Sequence, residues 1–152
     1  MATHKEVLAF LEKHKLGILS TASASGEVWG TAVYFIINEK FDCYFFAHTQ
    51  DRKYRNITQH PQVALTVVDD AAQTTVQMSG KAVEVTESDE LDMAYSELAQ
   101  VRPPGQLSWV PPVSKIHGKG EIEILRLTPD ALQFSVFKPA AKPSSSHVTQ
   151  II

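Results

Sequence analysis

Apolar positions recur along this chain in two rhythms, and the change from one to the other divides it into helices and strands. Val7, Leu8, Phe10 and Leu11 follow Thr3-His4-Lys5-Glu6, which reads as a capping box, and predict a short amphipathic first helix. Leu16 and Gly17 open a strand. From Val28 to Ile37 the chain is apolar at both parities, so neither face of that strand can be left in water over most of its length. One face suits a barrel interior and the other a partner subunit. After the aromatic strand Tyr44 to Ala47, Val63, Leu65 and Val67 alternate with Ala64, Thr66 and Val68 in another strand of little polar surface. Along Val76 to Val85 the apolar parity shifts after Ala82, with Gly80 just before the shift, as a bulge or barrel corner requires. Leu91, Ala94, Tyr95, Leu98 and Val101 stand at helical spacing behind Thr86-Glu87-Ser88-Asp89, predicting a second substantial helix that Arg102-Pro103-Pro104-Gly105 ends.

The loop from Arg102 to Lys119 places Pro103, Pro104, Pro111 and Pro112 around Trp109, a rigid segment with a large aromatic. Glu121–Leu127 and Leu132–Phe137 then predict a final pair of strands joined by Thr128-Pro129-Asp130. Six or seven strands with short connections and three helices make the fold mainly β, an antiparallel barrel with flanking helices, in α+β terms. Residues 1–137 form one domain. Residues 138–152 are a Pro- and Ser-rich tail that composition alone describes as disordered, although Ile151-Ile152 is apolar enough to dock.

A chain of 152 residues with 43% hydrophobic content can bury one core. Its net charge of −3 offers no global attraction to nucleic acid or anionic membrane, so basic residues act locally. The single Cys43 excludes an intrachain disulfide and suits a reducing cytoplasm, with packing as its role. No signal peptide or membrane span is expected, and a cytoplasmic location follows. The motifs of serine hydrolases, P-loop nucleotidases and Rossmann dehydrogenases are absent. The six histidines are dispersed, so no metal site is expected. Glu121 and Glu123 share a strand face, which reads as a solvated edge that discourages aggregation.

The stretch from His48 to Ile57 is the most informative chemically. It follows an aromatic strand and places Arg52 and Lys53 where a helix begins, with Asp51 at the N-cap and the Thr49 hydroxyl nearby. Free backbone N–H groups beside two cations describe a phosphate seat. The plainer alternative is that Arg52, Lys53 and Arg55 only solvate a helix whose inward residues are Tyr54 and Ile57. His48, the one histidine beside the seat, reads as structural or loop-positioning.

The ordered blocks from Leu16 to Phe137 resemble the FMN-binding split β-barrel superfamily related to pyridoxamine phosphate oxidase. They include Val28–Ile37, Tyr44–Ala47, Asp51-Arg52-Lys53-x-x-Asn56-Ile57, His60-Pro61, Val63–Val67 and Val76-x-Met78-x-Gly80-x-Ala82. The resemblance implies FMN as cofactor, with Arg52 and Lys53 on its phosphate and Gly30, Thr31, Ala32 and Val33 along the isoalloxazine ring. Low side chains at Gly30 and Ala32 would let a flat ring approach the strand, although Gly30 could equally relieve crowding inside it. Phe46, Ala47, His48 and Thr49 would line the ribityl chain and phosphate.

The resemblance has departures. Trp29 stands where the oxidases carry an arginine, and Thr75 stands at the place of a family glutamine. Arg126-Leu127-Thr128-Pro129 matches an Arg-Leu-x-Pro element, but the Arg-x-His substrate element before it has no counterpart, so the resemblance does not extend to pyridoxamine phosphate oxidation. Trp109 would cap the ring from a partner subunit or anchor an interface. The resemblance thus implies an FMN-dependent oxidoreductase on an unidentified small molecule, as a homodimer with the cofactor at the subunit boundary. Its catalytic residues are not named by sequence. Two other readings stay open: a flavin-binding protein without turnover, for storage, sensing or stress protection, and the same barrel with a deazaflavin or haem.

Overall fold

The architecture is that of a computed structural model, which describes residues 2–101, 111, 115–118, 120–137 and 146–152. Among the described residues, three helices, α1 (His4–Lys13), α2 (Arg52–Gln59) and α3 (Ser88–Leu98), flank seven strands. The strands are β1 (Leu16–Ala22), β2 (Val28–Ile37), β3 (Cys43–His48), β4 (Gln62–Asp69), β5 (Thr74–Glu84), β6 (Ile122–Phe137) and β7 (Ser146–Gln150). All pair antiparallel in the order β3-β2-β1-β4-β5-β6-β7, and a further β3–β6 ladder closes the first six into a barrel. The β3–β6 ladder pairs the two edges that an open six-stranded sheet would leave to solvent, and β7 is an added strand outside the ring. No helix among the described residues is long and apolar enough to cross a membrane.

Alternation decides what lies inside. Val33, Phe35 and Ile37 of β2, Cys43, Phe45 and Ala47 of β3, and Leu125 and Leu127 of β6 all join one buried cluster, with Val7 and Leu11 of α1 packed among them. Burial pushes the Cys43 thiol pKa well up, so Cys43 packs as a small inert apolar group. The opposite face of β2, β3 and β6 supplies Ile36, Tyr44, Ile122 and Ile124 to a second cluster under Ala94 and Leu98 of α3. The capping box of α1 is present, with the Thr3 side chain and Glu6 each satisfying the other's backbone. On α3 the cap is Glu87, whose carboxylate accepts from the backbone N–H groups of Asp89 and Glu90.

Gly80 marks the corner its place in the pattern suggests. The β5–β6 register shifts between Ser79 and Gly80, and a Cβ on Gly80 would come within 2.0 Å of the Thr128 carbonyl oxygen. Only a hydrogen fits between two backbones that close.

Three expectations change. The expected final pair of strands is one strand, β6, because Thr128-Pro129-Asp130 is absorbed as the bulge opposite Gly80 instead of turning the chain. The tail is ordered at its end: β7 pairs with Gln133–Phe137, and the Ile151 N–H donates to the Leu132 carbonyl at 2.7 Å. Backbone pairing there supplies what composition does not. Within one chain, β2 buries Val33 and Phe35–Ile37 and exposes Val28–Gly30 and Ala32. Glu123 is no solvated edge residue, since it is 6% exposed and accepts from the Gly118 N–H, with His117 Nδ1 3.0 Å from its carboxylate.

Candidate functional site

Helix α2 is seated by its buried face. Asn56 and Ile57 are buried, and Asn56 Nδ2 donates to Thr21 Oγ1 of β1 at 3.0 Å. Tyr54 donates its hydroxyl to Glu84, a bond that, with burial, pushes the phenol up to about 12. These anchors aim the start of the helix at the outer surface of β2 and β3. Asp51 occupies the N-cap with extended backbone, as the sequence suggests, but its side chain makes no capping bond. Its Oδ2 instead accepts from Lys53 Nζ at 2.6 Å. Burial would raise the Asp51 carboxyl pKa, but the hydrogen bond and charge of Lys53 outweigh burial and hold it below the ordinary carboxylate value.

Arg52 turns toward the β1–β2 hairpin. Its guanidinium carbon lies 4.5 Å from the Trp29 ring centroid, within cation–π range, and Nη2 is 3.4 Å from Glu27 Oε2. Arg52, Lys53, Asp51, Trp29 and Thr31 together line a cavity of about 260 Å³.

Lys53 also lines a second, larger cavity of about 470 Å³. Its wall consists of Ala32 and Tyr34 of β2, Phe46 and His48 of β3, and Ile122 of β6, all at positions that face out of the barrel, with Val33 behind them. Pro111 and Lys115 border it from the segment before β6. That segment is stitched to the β3–α2 turn: Thr49 Oγ1 donates to the Gly120 carbonyl at 2.6 Å, and the Thr49 N–H to that of Glu121 at 2.9 Å. The two cavities share Lys53. An apolar wall that ends in two cations at a helix start can hold a flat, largely apolar ring system bearing a phosphate.

The structure therefore brings Thr31, Ala32, Val33, Phe46, His48, Arg52 and Lys53 together. Gly30 lines neither cavity; it faces outward, and a Cβ there would meet only Ile18 at 3.6 Å, so crowding does not account for it. Ala47 points into the barrel and is 1% exposed, because successive strand residues face opposite ways. The Thr49 hydroxyl is engaged with Gly120 rather than turned to the seat. Thr75 pairs with Val68 and Ser135, outside both cavities within one chain. Trp109 lies outside the described residues. Tyr34, Lys115 and Ile122 are lining residues that the sequence reading did not name. Tyr34 was within reach by strand parity from Ala32, whereas Lys115 carries no pattern that would single it out.

The family model for pyridoxamine 5'-phosphate oxidase matches residues 3–135, from the cap of α1 nearly to the end of β6. No curated protein matches the chain in sequence. Among solved structures, a heme-binding protein from Mycobacterium smegmatis superposes with a TM-score of 0.71 at 15% identity, over 98% of this chain and 58% of that one. The chain thus spans little more than half the length of that relative. A pyridoxamine 5'-phosphate oxidase-related, FMN-binding protein from Nostoc punctiforme gives 0.65 at 14% identity, over 100% of this chain and 98% of that one. An F420 reductase gives 0.63 at 26% identity, over 82% and 93%.

Proposed function

We propose that this chain, which belongs to the pyridoxamine 5'-phosphate oxidase family, binds FMN and works as an oxidoreductase on a small molecule. The observation that carries this reading is the shared position of Lys53, which joins an apolar cavity of about 470 Å³ to the Arg52 cavity at the start of α2. Ala32, Tyr34, Phe46 and Ile122 would flank the ring, while Arg52, Lys53 and the first N–H groups of α2 would hold the phosphate. When bound, the flavin supplies the electron and hydride chemistry. The chain's own part is to anchor the phosphate, exclude water with Phe46 and Ile122, and present backbone groups of β2 to the ring edge. Asp51 and Glu27 pair with the two cations, so a phosphate bound there would compete with those carboxylates.

The outer face of the barrel supports a homodimer with sites at the boundary. Leu16, Ile18, Val28 and Val68 are each at least 46% exposed on neighbouring strands, a patch that a second copy would cover. Thr75, opposite Val68 on β5, belongs to that face, so a second copy is what could bring it to a flavin site.

Titration with FMN and riboflavin tests the assignment: FMN should bind clearly tighter, and equal affinity for the two would remove the phosphate seat. Sedimentation should show a dimer at micromolar concentration. A second reading has support in the relatives, since one similar structure is heme-binding and another is an F420 reductase. The visible spectrum of freshly purified protein separates flavin, deazaflavin and haem. Reduction of bound flavin by a nicotinamide cofactor, with turnover, separates an oxidoreductase from a flavin-storage or stress protein.

A further inference from the structure

Glu123 is a buried carboxylate to which the site described above gives no part. Its Cα pairs with that of Ala47 across the β3–β6 ladder, so its side chain turns to the barrel side as Ala47 does. A carboxylate buried there is costly unless donors satisfy it. Helix α2 supplies none. The Tyr54 phenol is raised by its bond to Glu84, by burial and by the charges of Glu84 and Glu123, so it lies near Glu123, yet its single proton is given to Glu84. Among the described residues, both donors to Glu123 come from the segment just before β6: the Gly118 N–H, 3.3 Å from Oε1, and His117 Nδ1, 3.0 Å from Oε2.

The same segment forms part of the rim of the larger cavity. Lys115 lines that cavity, Ile116 packs with Ile122 and Ile124, and Thr49, next to the lining His48, holds the Gly120 and Glu121 carbonyls. To fold back over Glu123 the chain takes left-handed backbone at His117 (φ 40°) and Gly118 (φ 69°). A histidine keeps that conformation where contacts offset the strain, and here they are the Glu123 carboxylate and the Ile122 carbonyl, to which the His117 N–H donates at 2.9 Å.

We propose that Glu123 is a positioning residue, a latch whose carboxylate holds residues 115–118 at the mouth of the larger cavity and so sets how fast a ligand enters and leaves. The dependence is mutual. Were the segment to lift, Glu123 would stay buried without a donor, so the rim remains in place while the latch is made. The proposal rests on the flavin reading only in naming the ligand whose passage is timed.

Hydrogen exchange of the ligand-free protein tests the latch first. Glu123→Ala should speed exchange of the His117 and Gly118 amides at least about tenfold, while the amides of β4 and β5 change by less than about threefold. Glu123→Gln should stay within about threefold of wild type throughout, because its amide can accept from Gly118 and donate to the other His117 tautomer. Stopped-flow mixing with FMN then tests the rim: association and dissociation rates should both rise about three- to tenfold in Glu123→Ala, with Kd within about threefold of wild type. Equal acceleration in the segment and the barrel would overturn the proposal, making Glu123 an ordinary support of the fold. So would Glu123→Gln exchanging as fast as Glu123→Ala. Loosened amides with unchanged FMN rates would overturn the role at the cavity. If no flavin binds, the flavin reading fails and takes the timing role with it, while exchange still decides the latch. Should Glu123→Ala not fold, His117→Ala, at a side chain 38% exposed, should speed Gly118 exchange at least about threefold, and no change there would overturn the latch.

Discussion

Arg52 and Arg126 are both paired with a glutamate, yet their surroundings differ in kind. Arg126 donates to Glu90, which also accepts the Tyr44 hydroxyl at 2.8 Å, and this triad ties α3 to β3 and β6. Burial would raise the Glu90 carboxyl pKa, but the Arg126 and Tyr44 hydrogen bonds and the guanidinium charge outweigh it and hold Glu90 below its ordinary value. Burial, with the Glu90 hydrogen bond, pushes the Tyr44 phenol upward. Arg52, by contrast, has a glutamate whose side chain is 72% exposed, at 3.4 Å, together with an aromatic face. An exposed pair of that geometry is worth about 0–1 kcal/mol, so a ligand can displace it. The lesson is that a cation whose partners are themselves satisfied is structural, and one whose partner is loosely held at a cavity is available.

Alanine at each arginine should separate the two roles. Arg52→Ala should weaken FMN by about 10- to 150-fold, the equivalent of one charge-assisted bond of ~1.5–3 kcal/mol, with stability within about 0.5 kcal/mol of wild type. Parallel titration and thermal melts check both halves, and riboflavin affinity should not move. Arg126→Ala should do the reverse, costing about 1–3 kcal/mol of stability with flavin affinity unchanged, because it leaves Glu90 without its cation. A large loss of flavin binding in Arg126→Ala would break the comparison.

Acid sharpens it further. Since the folded Glu90 pKa is depressed, its contribution is fully present above the unfolded value near 4.3 and is lost as pH falls through the folded one. Denaturant melts between pH 6 and 3 should therefore show part of the acid destabilisation missing in Glu90→Gln. The smallest effect belongs to Glu27→Gln, which should leave stability unchanged and tighten FMN about two- to fivefold by removing a competing carboxylate. Weaker FMN binding in that variant would mean that Glu27 orients Arg52 rather than competes for it.

Much of this molecule was legible from residue pattern. The capping box at Thr3, the helix carrying Leu91 to Leu98, the corner at Gly80 and the Arg52-Lys53 start of α2 all rest on local rules of periodicity, capping and steric room. The errors have one character. Pro129 reads as a turn because a ladder normally excludes proline, and only the partner strand shows a bulge that accommodates it. Glu123 reads as a solvated charge because the loop that folds His117 and Gly118 over it is invisible along the chain.

What the sequence determined by itself was the elements up to α3, the barrel class and the presence of two adjacent cations at a helix start, since each follows from interactions within a few residues or from alternation along one strand. Tertiary structure alone decided which face of β2 stays open, that Ala47 turns inward while Phe46 and His48 line a cavity, and that Trp29 of β2 meets Arg52 of α2. Those contacts join residues distant along the chain. They depend on how β3 closes against β6, and no local propensity encodes that closure.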